Sequence, residues 1–211
     1  MDLKKLALFG TLLLLTACNR QPWVPYVEPA PGTDTAKLRV ITNGEVRGGS
    51  YVGCVGNEQG LAKAGRFSSD GEPAINYPQS PQVPRQISMP ARTMPTLPQY
   101  LGVISMAEGA YTEIVAEYPV PAGTPFLLVS EEMTIGIDGR RYFKCPAVSQ
   151  VYTFEKGKSY EAYTGMLYRT AEDGSVQRRC PFLVYELHAS GHSIPIPLAS
   201  TQPSSQPCPS R

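Results

Sequence analysis

Apolar and polar residues alternate over short stretches of this chain, and turn residues separate the stretches. Lys37-Leu38-Arg39-Val40-Ile41-Thr42 opens by alternating basic and apolar side chains, the pattern of a half-buried strand. Asn43-Gly44 follows, a favoured tight-turn pair, and Gly48 to Cys54 predicts a second strand weakened by glycine. Thr112, Ile114, Ala116, Tyr118 and Val120 fall on one face of the next segment, with Glu113 and Glu117 on the other. Pro121-Ala122-Gly123 then turns the chain into the apolar run Phe126 to Val129. Met133 to Ile137 returns through Asp138-Gly139 to Arg141-Tyr142-Phe143. Val151 to Phe154, Tyr160 to Tyr168 and Val176 to Leu187 complete the series, divided by Lys156-Gly157 and by Glu172-Asp173-Gly174-Ser175. Turn signals this frequent, roughly every 10–15 residues, predict an all-β fold, an antiparallel β-sandwich with a barrel as the other closed arrangement.

A helical period appears nowhere with conviction, and residues 60–65 (GLAKAG) make one turn at most. Composition agrees, because the 211 residues include 21 prolines and 19 glycines, and an interior proline costs a helix about 3 kcal/mol. Seven of the prolines fall in residues 67–100, where neither period survives. That stretch is expected to be a long Pro-rich insertion loop. Within it Met89-Pro90 and Met94-Pro95 echo each other. Met89 and Met94 are candidates for a flexible apolar strip that meets a partner; the plainer reading makes them plugs at the edge of the sandwich. Ile194, Ile196 and Leu198 suit an edge strand, where proline is tolerated.

The N-terminus carries a different signal. Lys4 and Lys5 precede an apolar run from Leu6 to Leu15. As a helix it would span only about 15 Å, half of the roughly 30 Å hydrocarbon core of a bilayer, so it reads as a secretory signal. Leu15-Thr16-Ala17-Cys18 resembles the lipobox of bacterial lipoproteins. The resemblance implies cleavage between Ala17 and Cys18, a diacylglyceryl group on the Cys18 thiol, and usually an acylated new N-terminus. Asn19 in place of aspartate implies outer-membrane rather than inner-membrane sorting under enteric-type rules. The expected organisation is a signal peptide at 1–17, a lipidated Pro-rich tether at 18–35, a β-sandwich domain at 36–199 holding the 67–100 insertion, and a flexible tail at 200–211. Pro22, Pro25, Pro29 and Pro31 favour an extended tether, holding the body some 20–40 Å from the membrane. Trp23 and Tyr26 are expected either at the lipid interface or packed on the body.

Charge and cysteine count sharpen this picture. The formal net charge is +1, which supplies no field for nucleic acid. Removing 1–17 deletes Asp2, Lys4 and Lys5 and leaves a neutral body, (19 − 2) − (18 − 1) = 0, so the lipid must provide the hold on the membrane. Two or more acyl chains do so stably. Of five cysteines, Cys18 is assigned to the lipid. The rest, Cys54, Cys145, Cys180 and Cys208, form an even set that reads as two disulfides in an exported chain. Cys145–Cys180 is the favoured pair, since each cysteine precedes a proline and opens a strand, and Cys54–Cys208 follows by elimination. In a plain meander the favoured pair would sit across an intervening strand, about 9.6 Å apart, too far for the 4.4–6.8 Å a disulfide requires. The pairing therefore demands a loop cysteine or strands in opposing sheets.

Catalytic patterns are scarce. His188 and His192 are four apart, but Ser190-Gly191 and Pro195 oppose the helix that would align them for a metal. Gly48-Gly49-Ser50-Tyr51-Val52 misses the nucleophile elbow at Val52. Glu131-Glu132 and Glu172-Asp173 sit at turns. No catalytic residue, metal ligand or cofactor is assigned. Val120-Pro121-Ala122-Gly123, Cys145, Phe154 to Glu161 and Cys180 make the body similar to uncharacterised envelope lipoproteins of Gram-negative bacteria, which implies a lipid-anchored sandwich. The expected function is a non-enzymatic binding or assembly module facing the periplasm. An envelope protein is the expected partner, docking on exposed sheet edges or on the 67–100 loop. The other reading is a small-ligand or glycan binder that stacks rings of Tyr142, Tyr152, Tyr160, Tyr163 and Tyr168 on its target.

Overall fold

The structure, a computed structural model, describes residues 23–64, 66–67, 86–90, 104–106, 109–111, 113–136, 140–170, 173–187 and 196–209. Ala17, Cys18, Met94, the Asp138-Gly139 turn, His188 and His192 lie outside the described residues. All regular elements described are strands. In chain order they are β1 (Thr35–Thr42), β2 (Glu45–Ser50), β3 (Gln59–Lys63), β4 (Arg66–Phe67), β5 (Ile104–Met106), β6 (Gly109–Tyr111), β7 (Ile114–Pro121), β8 (Pro125–Ser130), β9 (Met133–Gly136), β10 (Tyr142–Cys145), β11 (Val148–Thr153), β12 (Ser159–Thr164), β13 (Leu167–Thr170), β14 (Val176–Arg179), β15 (Phe182–Leu187) and β16 (Ile196–Pro197).

Two sheets make the sandwich. One has the order β16-β15-β12-β1-β7 and the other β11-β8-β2-β3. Leu38, Val40, Ala116, Tyr118, Tyr160 and Ala162 from the first sheet face Val46, Leu61, Phe126, Leu128 and Tyr152 from the second, forming one buried cluster around Phe154. The ring of Phe154 lies 4.9 Å from that of Tyr160 and 5.7 Å from that of Phe126, centroid to centroid. Tyr118 donates its hydroxyl to the Leu61 carbonyl across the layers, so a buried phenol keeps its hydrogen bond. Full burial of side chains of this size contributes about 1.5–3 kcal/mol each.

The expected sandwich is therefore present, but the turns work differently from the expectation. Asn43-Gly44 does not close a hairpin: β1 and β2 belong to opposite sheets. The same holds for Pro121-Ala122-Gly123 between β7 and β8, and for Lys156-Gly157 between β11 and β12. Each bends the chain from one layer to the other. Local composition marks where a chain must bend, not which sheet receives it. One consequence is a parallel pair, β1 with β12, whereas the other pairs of named strands described are antiparallel. β1 runs into the arch at Asn43-Gly44, and β12 runs out of the arch at Lys156-Gly157 at the opposite end, so both travel the same way.

Both sheets extend beyond the sandwich as hairpins. β9 pairs with β10, and both belong to the excursion between β8 and β11. β13 pairs with β14 between β12 and β15. The Cys145–Cys180 bridge staples these two arms together with a Cα–Cα distance of 5.4 Å. The geometric condition is thus met by the first route: Cys145 ends β10, whereas Cys180 lies in the connection between β14 and β15. Cys54–Cys208 is the other bridge, with Cα atoms 4.9 Å apart.

Three expectations are corrected. Residues 60–63 supply strand rather than a helical turn, because they belong to β3, which pairs with β2. The tail from 200 is anchored rather than flexible through Pro209: Thr201 and Val151 exchange backbone hydrogen bonds, Val55 pairs with Pro207, and Cys208 is bridged. The tether, from Trp23 onward, is seated on the body. Its Tyr26 amide donates to the Gly60 carbonyl at 3.0 Å, and the Gly60 amide donates to the Val24 carbonyl at 2.6 Å.

Candidate functional site

The N-terminal strap is built for its seat. Pro25 pairs in parallel with Gly60 of β3. In that pairing its flanking residues, not Pro25 itself, make the backbone bonds, so the missing proline donor costs nothing and leaves the new edge blunt. Gly60 is required by close approach: a Cβ there would lie 2.2 Å from the Trp23 ring. Arg47 and Lys63 each hold a cation 5.5 Å from the ring centroid, a favourable arrangement over an indole. Tyr26 points the other way, into the core, edge-on to Tyr118 and Phe126. Its hydroxyl donates to the Pro119 carbonyl at 3.2 Å, and burial raises its pKa.

A second feature lies on the outer face of the five-stranded sheet. Glu117 of β7, Arg39 of β1 and Glu161 of β12 are cross-strand neighbours in register. All three are at least nine-tenths buried. Arg39 donates from Nε at 3.0 Å and Nη2 at 2.8 Å to Glu117 Oε1, and from Nη1 at 3.2 Å to Glu161 Oε2. Residues 86–90 cover this row. The amides of Ile87 and Met89 donate to Glu117 Oε2 at 2.7 and 3.4 Å, and Arg39 Nη2 donates to the Pro90 carbonyl at 2.6 Å. Burial pushes the Glu117 carboxyl upward. The Ile87 amide, the Arg39 guanidinium and the Met89 amide outweigh it and hold the pKa below the usual value. Pairing with Arg39 and the bonds from the two amides offset the cost of burying these charges.

This cluster changes the standing of two expectations. Met89, a candidate for an exposed contact strip, is buried; its backbone is tied to Glu117, so it acts as a plug. Glu117 looked like a solvent-facing residue because it alternates with core positions, whereas a distant segment covers it. No local signal marks a side chain that will be covered from fifty residues away, as Arg39 is by Pro90. Ser88, in the middle of the cover, has φ 58°, a left-handed conformation that non-glycine residues enter with strain.

The proposed contact surfaces also shift. The β3 edge is occupied by the strap at Pro25, the β15 edge by β16, and the β11 edge by Thr201. The β7 edge carries Pro119 and Pro121, which deny donors to an incoming strand. At these positions the edges of the two main sheets are covered or lack donors. Of the tyrosines considered as stacking platforms, Tyr152, Tyr160 and Tyr163 are buried. Burial also raises the pKa of Tyr152 and Tyr160. Tyr142 on β10 is 69% exposed; the Tyr168 side chain lies outside the description. The stapled arms present Tyr142 and Val176 to solvent, with the Lys144 and Arg179 backbones alongside the Cys145–Cys180 sulfurs. Among the described residues no group of three His, Cys, Asp or Glu side chains is placed to hold a metal. Comparison with known proteins returns no match, whether to a family model, a curated protein or a solved structure.

Proposed function

We propose that the chain is a lipid-anchored lipoprotein of the bacterial cell envelope, held at the periplasmic face of the outer membrane through Cys18. It acts as a non-enzymatic module that binds another envelope protein. The observation that carries this reading is the cysteine pairing. Cys54, Cys145, Cys180 and Cys208 bridge one another, so the four body cysteines leave Cys18 outside any disulfide of the body. A thiol at the end of a lipobox is then assigned to acylation. Two disulfides also suit an oxidising compartment. The stapled arms, with exposed Tyr142 and Val176 on a rigid base, are the surface best suited to a protein partner.

The experiment is metabolic labelling with an alkyne fatty acid, followed by fractionation of wild type and Cys18→Ser. Wild type should carry label and stay with the outer membrane through a high-salt wash; Cys18→Ser should lose both. Retention of Cys18→Ser in the membrane would overturn the anchor. Crosslinking from native membranes, with and without Tyr142→Ala, tests the partner surface.

A further inference from the structure

The strap fixes which end of the sandwich meets the membrane. Pro25 and Gly60 pair in parallel, so the chain before Trp23 leaves toward the start of β3 and the 51–58 loop. Five residue steps separate Cys18 from Trp23. Fully extended they reach at most about 18 Å, so the body has no long stalk.

The 51–58 loop is a firm platform. The Tyr51 amide donates to the Pro125 carbonyl at 2.9 Å, Val55 pairs with Pro207, and Cys54 is bridged to Cys208. Val52 at its tip is 73% exposed. The loop contains no lysine or arginine, and the carboxylate of Glu58 accepts the Gly56 amide within the loop. The stapled arms occupy the opposite end, since Met133 of β9 packs against Gly44 and Asn43 bonds the backbone of Met166. The six residues of β8 alone place about 20 Å between the two ends.

We infer that the end of the sandwich bearing the 51–58 loop and Val52 rests on the lipid surface, with Trp23 seated on Gly60, and that the stapled arms point away from the bilayer as the partner-facing tip. The inference rests on the lipid-anchor reading. The occupant of the Val52 end is the lipid surface, because the acylated residue is too close in sequence for that end to stand clear. A loop without lysine or arginine matches a body held by its lipid rather than by attraction to anionic headgroups.

The test uses acylated full-length mature protein in neutral phosphatidylcholine vesicles with acceptor-labelled headgroups. A donor dye is attached through p-acetylphenylalanine at position 52 or position 142. Energy transfer from position 52 should exceed that from position 142 several-fold. Emission from Trp23, the single tryptophan, should match that of the soluble Cys18→Ser protein. Equal transfer from the two positions, or stronger transfer from 142, would overturn the orientation. So would quenching of Trp23 by acyl-chain bromolipids, which would put the ring in the bilayer instead of on Gly60. Mass spectrometry of the same sample separates the two claims. A Cys18 without lipid overturns the anchor and the inference built on it, whereas an acylated protein with reversed transfer overturns the orientation alone.

Discussion

The carboxamide of Asn43 makes both hydrogen bonds that a neighbouring strand would make to Met166: Nδ2 donates to its carbonyl at 2.9 Å, and Oδ1 accepts from its amide at 3.0 Å. Asn43 is fully buried, at the arch between β1 and β2. The side chain thereby replaces backbone pairing where the chain leaves one sheet for the other and where β12 gives way to β13. Only an amide offers a donor and an acceptor at this spacing.

Asn43→Ala is therefore expected to strand two buried backbone groups at about 1–3 kcal/mol each. Denaturant unfolding with both disulfides intact should show a loss of several kcal/mol. Asn43→Asp keeps the acceptor but buries a carboxylate against the Met166 carbonyl, so at pH 7 it should be at least as destabilising as alanine. A loss below about 1 kcal/mol for the alanine variant would mean that water replaces the carboxamide.

Gly60→Ala should unseat the strap. The added methyl would sit 2.2 Å from the Trp23 ring, and the rigid backbone of β3 leaves the ring to move. Trp23 emission should shift to the red and become accessible to iodide, while the core remains folded by far-ultraviolet circular dichroism. An unchanged spectrum would show that the strap tolerates displacement.

How much of this was readable in the sequence depends on the range of the forces involved. Alternation over Lys37 to Thr42 and Ile114 to Val120 identifies strands because one face of each is core, and the even set of four body cysteines announces two bridges. Asn43 was legible only as a turn residue, and Gly60 only as part of one possible helical turn. Their real tasks, bonding Met166 and receiving Trp23, depend on partners 123 residues later and 37 residues earlier. Arg39 and Glu117 likewise read as the wet face of two strands until Ile87, Met89 and Pro90 are laid across them.

The acid limb of the stability profile should report on Glu117. Its folded pKa lies below the usual carboxylate value, so the unfolded chain binds the proton more tightly. Stability from this group is fully present above the unfolded value of about 4.3 and is lost as pH falls through the depressed folded value. Glu117→Gln should flatten part of that acid slope. At neutral pH the single glutamine oxygen can meet either the Ile87 amide or Arg39, and its NH2 then opposes the other donor, so a loss of about 1–3 kcal/mol is expected. An acid slope identical to wild type would place the linkage in other carboxylates. Arg39→Met, which leaves two buried carboxylates facing each other, should cost more, about 3–5 kcal/mol.

The two disulfides should differ in weight. Cys145 and Cys180 are 35 residues apart and Cys54 and Cys208 are 154 apart. Chain entropy makes the longer loop worth about 5 kcal/mol and the shorter about 4 kcal/mol. The paired Cys54→Ser and Cys208→Ser variant should therefore lose more in Tm. It should also raise amide exchange at Val55 and Val151, which the tail pairs with. A larger loss from the Cys145 and Cys180 pair would mean that the tail stays docked without its bridge.

The segment 86–90 decides whether the Pro-rich insertion is dispensable. By composition it offers little to a core, and replacing residues 73–98 with a Gly/Ser linker would be expected to leave stability nearly intact. The contacts argue otherwise. Such a linker removes Met89 from its buried seat and removes the fixed amides that meet Glu117 Oε2. Truncating a buried methionine alone costs about 2–5 kcal/mol, so Met89→Ala should lower stability at the lower end of that range, and the full replacement should lower it further. Ser88→Gly should act in the opposite direction. At φ 58° glycine relieves a left-handed strain of about 1–2 kcal/mol, set against roughly 0.5–1 kcal/mol from its freer unfolded chain. The net gain should be small but positive. Opposite signs at adjacent positions, measured by urea unfolding at pH 7, would identify 86–90 as a structural cover. Loss of partner recovery without any loss of stability in the 73–98 replacement would instead return the segment to its role as a contact strip.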